Sequence, residues 1–140
     1  MCSSDLAANC TVTGSANFGS YNPLTGQQVT GTGTIAVTCT GTANETINYS
    51  VALTSGYGSY STRNMSYGGA SMTYNLYLDS SYLQIWGDGT GGTSVLSDTM
   101  TLVSTSLTKY YTIYGRINSN QRQLGAGNYG DSITITLNYN

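Results

Sequence analysis

Apolar and polar residues alternate along most of the chain at the two-residue period of a pleated strand. Between residues 10 and 18, Cys10, Val12, Ala16 and Phe18 share one face. Ile35, Val37 and Cys39 alternate with Thr34, Thr38 and Thr40. Ile47, Tyr49, Val51 and Leu53 repeat the pattern, as do Met72, Tyr74, Leu76 and Leu78. Leu83–Trp86 and the pair Met100 and Leu102 mark shorter candidates, and residues 110–117 alternate through Tyr111, Ile113 and Ile117. The strictest case is the last, where Ile133, Ile135, Leu137 and Tyr139 alternate with Ser132, Thr134, Thr136 and Asn138. The pattern predicts about eight strands and no helical period.

The segments between them carry turn chemistry. Asn22-Pro23-Leu24-Thr25-Gly26 reads as a turn or short excursion, and Gly41-Thr42-Ala43-Asn44 as a hairpin between two good strands. Residues 56–71 form a polar Tyr/Gly/Ser loop, residues 87–93 a Gly-rich one, and Gly125-Ala126-Gly127-Asn128 precedes the final strand. No fixed repeat and no linker divides the chain. Eight half-polar strands imply an all-β domain, either a sandwich or a barrel.

Composition sharpens this picture. Gly, Ser, Thr and Asn supply half of the 140 residues, yet 39% are hydrophobic and 13 are Tyr. The net charge of −2 and the aromatic content argue against disorder. Only 7% of residues are charged and only four are Lys or Arg, too few to neutralise a nucleic-acid backbone. Three cysteines occur, with no CxxC pair and no histidine, which leaves no zinc set. Cys10 and Cys39 both lie in strand patterns and are predicted to be bonded, with Cys2 unpaired; that bond implies an oxidising compartment. No run is apolar for 18 residues, so no transmembrane helix is expected. Met1-Cys2-Ser3-Ser4-Asp5 is not an export signal, so a signal was removed or lies upstream. An outer-membrane barrel also fits the alternation, but residues 83–86 and 100–103 are too short to span.

Catalysis finds little support. Without histidine, an acid–base site needs paired carboxylates, and none are closely spaced. Asp88 lies in Trp86-Gly87-Asp88-Gly89-Thr90-Gly91-Gly92, which has no Lys and precedes no helix, so it is not a phosphate loop. Asp79 and Asp98 are too distant in sequence for a calcium loop. Asp88 reads as a turn residue bonding its own backbone. Tyr57, Tyr60, Tyr67, Trp86 and Asp88 are candidate surface-contact residues for sugar stacking; plain amphipathic surface is the simpler reading of the same loops. No enzyme activity, cofactor or metal is expected.

The ordered set Cys10-Thr11-Val12, Phe18-Gly19-Ser20-Tyr21-Asn22-Pro23, Gly33–Cys39, Tyr49–Gly56, Arg63-Asn64-Met65, Tyr74–Asp79, Ile85–Gly91, Tyr114–Ile117 and Gly125–Asp131 resembles the spore coat protein U domain. That domain is also the subunit fold of archaic chaperone–usher pili. The resemblance covers residues 10–140 as one domain, with 1–9 as an N-terminal stub. It implies an immunoglobulin-like antiparallel β-sandwich lacking one strand, its groove filled by a periplasmic chaperone and then by a donor strand from the next subunit. Pilins of the wider group show a penultimate Tyr, alternating apolar residues and a Gly fourteen from the end. Tyr139, Leu137, Ile135, Ile133 and Gly127 match these positions and are implied to border the groove. Only Leu6 and Ala8 alternate in the stub, so a donor segment there is short, truncated or absent. The implied role is a secreted, extracellular structural subunit of a surface fibre supporting attachment and biofilm. Its implied partners are neighbouring subunits, a chaperone and an outer-membrane usher, with no nucleic acid and no membrane insertion. A coat protein and a carbohydrate-binding tip are the alternatives.

Overall fold

The structure is a computed structural model and describes residues 8–17, 28–56, 58–67, 70–118, 131 and 133–139. Eight strands form: β1 (Asn9–Asn17), β2 (Val29–Thr40), β3 (Thr46–Leu53), β4 (Arg63–Tyr67), β5 (Ala70–Tyr77), β6 (Leu96–Thr101), β7 (Ser106–Ile117) and β8 (Ile135–Tyr139). Among the described residues there is no helix, and so none long and apolar enough to cross a membrane. One sheet has the order β1-β2-β7-β5-β4 and the other β6-β3-β8. Every ladder is antiparallel.

The alternation explains how the two sheets meet. Ile35, Val37 and Cys39 of β2, Met72, Tyr74 and Leu76 of β5, and Ile113 and Ile117 of β7 are buried on the inner face of the larger sheet. Ile47, Tyr49, Val51 and Leu53 of β3 and Met100 of β6 are buried on the smaller. Each such aliphatic side chain contributes about 1.5–3 kcal/mol when fully removed from water. The result is an all-β sandwich: the alternation predicts the all-β class, and the resemblance implies the sandwich rather than the barrel.

The connection at residues 41–45 differs from expectation. The turn is present: Glu45 N donates to Thr42 O at 3.0 Å, and Asn44 takes φ 71°. It does not close a hairpin, because β2 pairs with β1 and β7 while β3 pairs with β6 and β8. Both flanking strands must bury an apolar face against each other, so the chain arches from one sheet to the other. The turn is held by Gly41 N to Thr105 O (2.9 Å) and Asn44 N to Leu102 O (2.7 Å).

Two other elements shift. β4 falls inside the segment read as loop. The Leu83–Trp86 candidate contributes only bridges, Tyr77 to Ile85 and Trp86 to Ser94. Asn22–Gly26 and Gly125–Asn128 lie outside the described residues.

Candidate functional site

One side of the sandwich is built differently from the rest. β8 pairs with β3 on one edge and has no ladder partner on the other among the described strands. β1 is the matching outer strand of the larger sheet. Ile135, Leu137 and Tyr139 stand opposite Leu53, Val51 and Tyr49 of β3, so both sets face inward. The β3 side chains are at most 4% exposed, whereas Ile133, Ile135 and Leu137 are only partly buried and Tyr139 is 40% exposed. Val12 of β1, also packed on the core, is likewise half-buried.

The two edges approach without forming a ladder. Ile135 Cδ1 lies over Gly14 of β1, where an added Cβ would sit 2.9 Å from it and 2.5 Å from Ile35 Cδ1. Glycine is therefore what lets two isoleucines close over β1. Farther along, Tyr139 Oη donates to Asn9 Oδ1 at 3.2 Å. Cys10 and Cys39 are directly opposed in the β1–β2 register and bonded, which fastens the edge strand β1 to the body of its sheet. Of the residues the resemblance places at the groove, Ile133, Ile135, Leu137 and Tyr139 gather here; Gly127 lies outside the described residues.

Polar side chains tie the two sheets together internally. Asp98 of β6 accepts from Lys109 Nζ (3.0 Å) and Tyr111 Oη (2.7 Å) of β7, and Tyr111 Oη also meets Tyr49 Oη of β3. The Tyr111 hydroxyl, helped by the Thr99 amide and Lys109, holds the Asp98 carboxyl below its ordinary range. Burial, then the bonds to Tyr49 and Asp98, push the Tyr111 phenol well above its own. Arg63 is fully buried. Its Nε and Nη2 donate to Thr54 O (3.1 and 2.8 Å), Nη2 to Trp86 O (2.7 Å) and Nη1 to Asn75 Oδ1 (2.6 Å). Burial lowers its pKa, opposed by the field of Tyr74, Tyr60 and Asp131. Tyr74 Oη in turn donates to Asp131 Oδ2 at 2.7 Å. Sequence reading names Arg63 only within the family motif and Asp98 only as a calcium candidate, and gives neither a structural role; the one signal was that charges are scarce.

The candidate surface-contact residues separate. Trp86 is not a contact residue: it is fully buried, and its Nε1 donates to Val51 O at 2.9 Å. A large ring whose N–H finds a backbone acceptor in the core has no reason to face water. Tyr60 and Asp88 lie near each other: the Asp88 carboxyl is held below its ordinary range first by the Thr90 hydroxyl and amide and to a lesser degree by the Tyr60 phenol. Asp88 also accepts from Thr90 N at 2.9 Å and from Thr90 Oγ1 at 2.5 Å, the local turn the sequence implies. Tyr57 and the Tyr67 side chain lie outside the described residues. Asp79 is engaged elsewhere, accepting from the amides of Leu83 and Gln84. Asp79, Asp88 and Asp98 thus sit in three separate hydrogen-bond settings, and among the described residues no three potential metal ligands cluster.

Comparison with curated proteins finds no match. The family model of the Spore Coat Protein U domain matches residues 2–136, nearly the whole chain. Its match runs from the stub through β1 to Thr136, so it takes in Ile133 and Ile135 and stops before Leu137 and Tyr139. The chain belongs to the Spore Coat Protein U domain family, the family of archaic chaperone–usher pilins and a structural rather than an enzymatic one.

Proposed function

We propose that the chain is a secreted structural subunit of a surface fibre, assembled by insertion of a donor strand between β8 and β1. The observation that carries this reading is the contrast across one ladder: Leu53 and Val51 are sealed, while Ile135 and Leu137 opposite them remain half-open at an edge with no ladder partner among the described strands. An unpaired strand edge backed by apolar side chains is a template for another strand. β-augmentation supplies main-chain bonds along that edge and an apolar side chain at every second position to cover Ile133, Ile135 and Leu137. In the cell, a periplasmic chaperone guards the edge before an outer-membrane usher passes the subunit to its neighbour, and the fibre serves attachment and biofilm. The family's description also names the spore coat, and a coat built by the same edge pairing is the second reading.

Completing the burial of three half-exposed side chains is worth about 3–5 kcal/mol. At about 2–4 °C per kcal/mol, a synthetic alternating donor peptide should raise the melting temperature by on the order of 10 °C. Ile135→Asp should abolish that rise. A chain already stable alone and indifferent to the peptide would overturn the proposal. Electron microscopy of the assembled material separates fibre from coat.

A further inference from the structure

On the outer face of the larger sheet, β7 presents Tyr110, Thr112, Tyr114 and Arg116, alternating with the inward positions 111, 113, 115 and 117. Arg116 lies beside two aromatic rings. Its Cζ is 4.8 Å from the Tyr82 centroid and 5.5 Å from that of Tyr77. Those rings meet edge to face, with centroids 5.4 Å apart. Tyr82 reaches this place through a left-handed backbone, φ 58°, which bulky residues rarely adopt. The Asp79 carboxylate holds the turn by accepting from Leu83 N and Gln84 N, and Tyr82 N donates to Asp79 O at 3.2 Å. The strain is thus spent on bringing one more ring beside the guanidinium.

The other described cations are committed: Lys109 pairs with Asp98, and Arg63 is buried on carbonyls. Arg116 is half-buried, and among the described residues no carboxylate and no hydrogen-bond acceptor meets it. A guanidinium fixed by ring contacts keeps its planar N–H fork for a carboxylate. Its neighbours on the face are hydroxyls, rings and, opposite it on β5, Asn75, whose amide is already committed to Arg63 and to the Tyr60 and Ser61 carbonyls. Thr30 stands directly opposite Arg116 on β2, and Thr32 lies opposite Tyr114; both threonines are exposed and Tyr114 is half-buried. A single cation among neutral hydroxyls does not suit a polyanion such as nucleic acid. It suits a ligand with one carboxylate per ring, many hydroxyls and an apolar ring face.

We infer that Arg116, with Tyr82, Tyr114 and Thr30, forms a binding site for a uronic-acid sugar on the outer face of the sheet. The carboxylate takes the guanidinium fork, the sugar ring lies against Tyr114, and the threonine hydroxyls meet its hydroxyls. The site lies on a different face from the β1/β8 edge, so it stands whether or not donor-strand assembly does.

The test is calorimetric titration of the full chain with trigalacturonate and with its methyl ester, which keeps the rings and removes the charge. Trigalacturonate should bind at least tenfold more tightly than the ester, and more weakly as salt rises. Arg116→Gln should lower its affinity at least tenfold, and Arg116→Lys, which keeps the charge and loses the fork, by less. Thr30→Asp leaves Arg116 in place and supplies a cross-strand carboxylate that occupies it, so this variant should also lose the ligand while keeping its melting temperature. No binding by the unaltered chain, equal binding of ester and acid, or full affinity in Arg116→Gln or Thr30→Asp would overturn the site. So would tighter binding of an Asp-rich hexapeptide, which would mark the face as a protein contact.

Discussion

Replacing Arg63 by Met tests what holds the two sheets together. The substitution keeps an unbranched apolar stem and removes the guanidinium. Three acceptors then lose their donor: Thr54 O beyond the end of β3, Trp86 O, and Asn75 Oδ1 at 2.6 Å. Asn75 keeps bonds to Tyr60 O and Ser61 O through its amide, but its oxygen would retain only the Leu76 amide. A buried polar atom left without a partner costs about 1–3 kcal/mol. Removing a buried charge returns part of this, because the guanidinium no longer has to be desolvated. Trp86 O stays buried and Thr54 O partly buried whatever occupies position 63, so the loss dominates. The expected net destabilisation is about 2–4 kcal/mol, a large share of the roughly 5–15 kcal/mol that holds a domain together. Urea unfolding of the oxidised chain, followed by far-ultraviolet circular dichroism, gives the difference directly. A midpoint for Arg63→Met equivalent to less than 0.5 kcal/mol, with unchanged slope, would refute the reasoning. Arg63→Lys should fall between the two, since an ammonium cannot span three acceptors in one plane.

Cys10→Ala with Cys39→Ala opens a covalent loop of sequence separation 29 and should cost about 3.5 kcal/mol on the chain-entropy model, read as the urea midpoint with and without the bond. Tyr74 and Tyr111 have pKa values raised above 10.0, first by burial and then by bonds to Asp131 and to Tyr49 and Asp98 respectively. Their contribution to stability is therefore complete below the unfolded value and lost as pH rises past about 10; melting temperature should fall there, and Tyr111→Phe should flatten the fall. Trp86 is the only tryptophan, so emission should be blue-shifted and resistant to acrylamide until the chain unfolds; strong quenching of the folded chain would return it to the surface.

The strands that read most clearly were those whose burial rests on apolarity alone. Ile35, Val37 and Cys39, or Ile47 to Leu53, announce a face because each inward position is hydrophobic. β4 was illegible for the opposite reason: Arg63 is as buried as any isoleucine, but through carbonyl acceptors supplied from elsewhere in the chain. Trp86 was misplaced because its neighbours are a Gly-rich turn, while the atom that explains its burial, Val51 O, is 35 positions away. The division into sheets was hidden too, since alternation says that a strand has an inner face and not which strand lies beside it. At the candidate edge, the alternation of Ile133 to Tyr139 was visible; that Gly14 admits Ile135 over β1 depends on a neighbour no local pattern names. The Arg116 group was equally silent, because Tyr77, Tyr82 and Arg116 come together only through the β5–β7 ladder and the turn capped by Asp79.

The central β2–β7 ladder has a consequence for time rather than for energy. Thr38 and Thr108, bonded across it, are 70 positions apart, and Thr54 and Thr134 at the other sheet are 80 apart. Such distant partners make closure slow, because the loop entropy is spent before any contact repays it. A chain emerging from its N-terminus displays β1, β2 and β3 long before β7 and β8 emerge. During that interval β2 carries two open edges and an apolar face, the state from which strands pair with the wrong neighbour. The local β1–β2 ladder and its disulfide can form early and shield one of those edges. The other waits for the last third of the chain, which makes the rate of delivery, and not only the final stability, a condition for the fold.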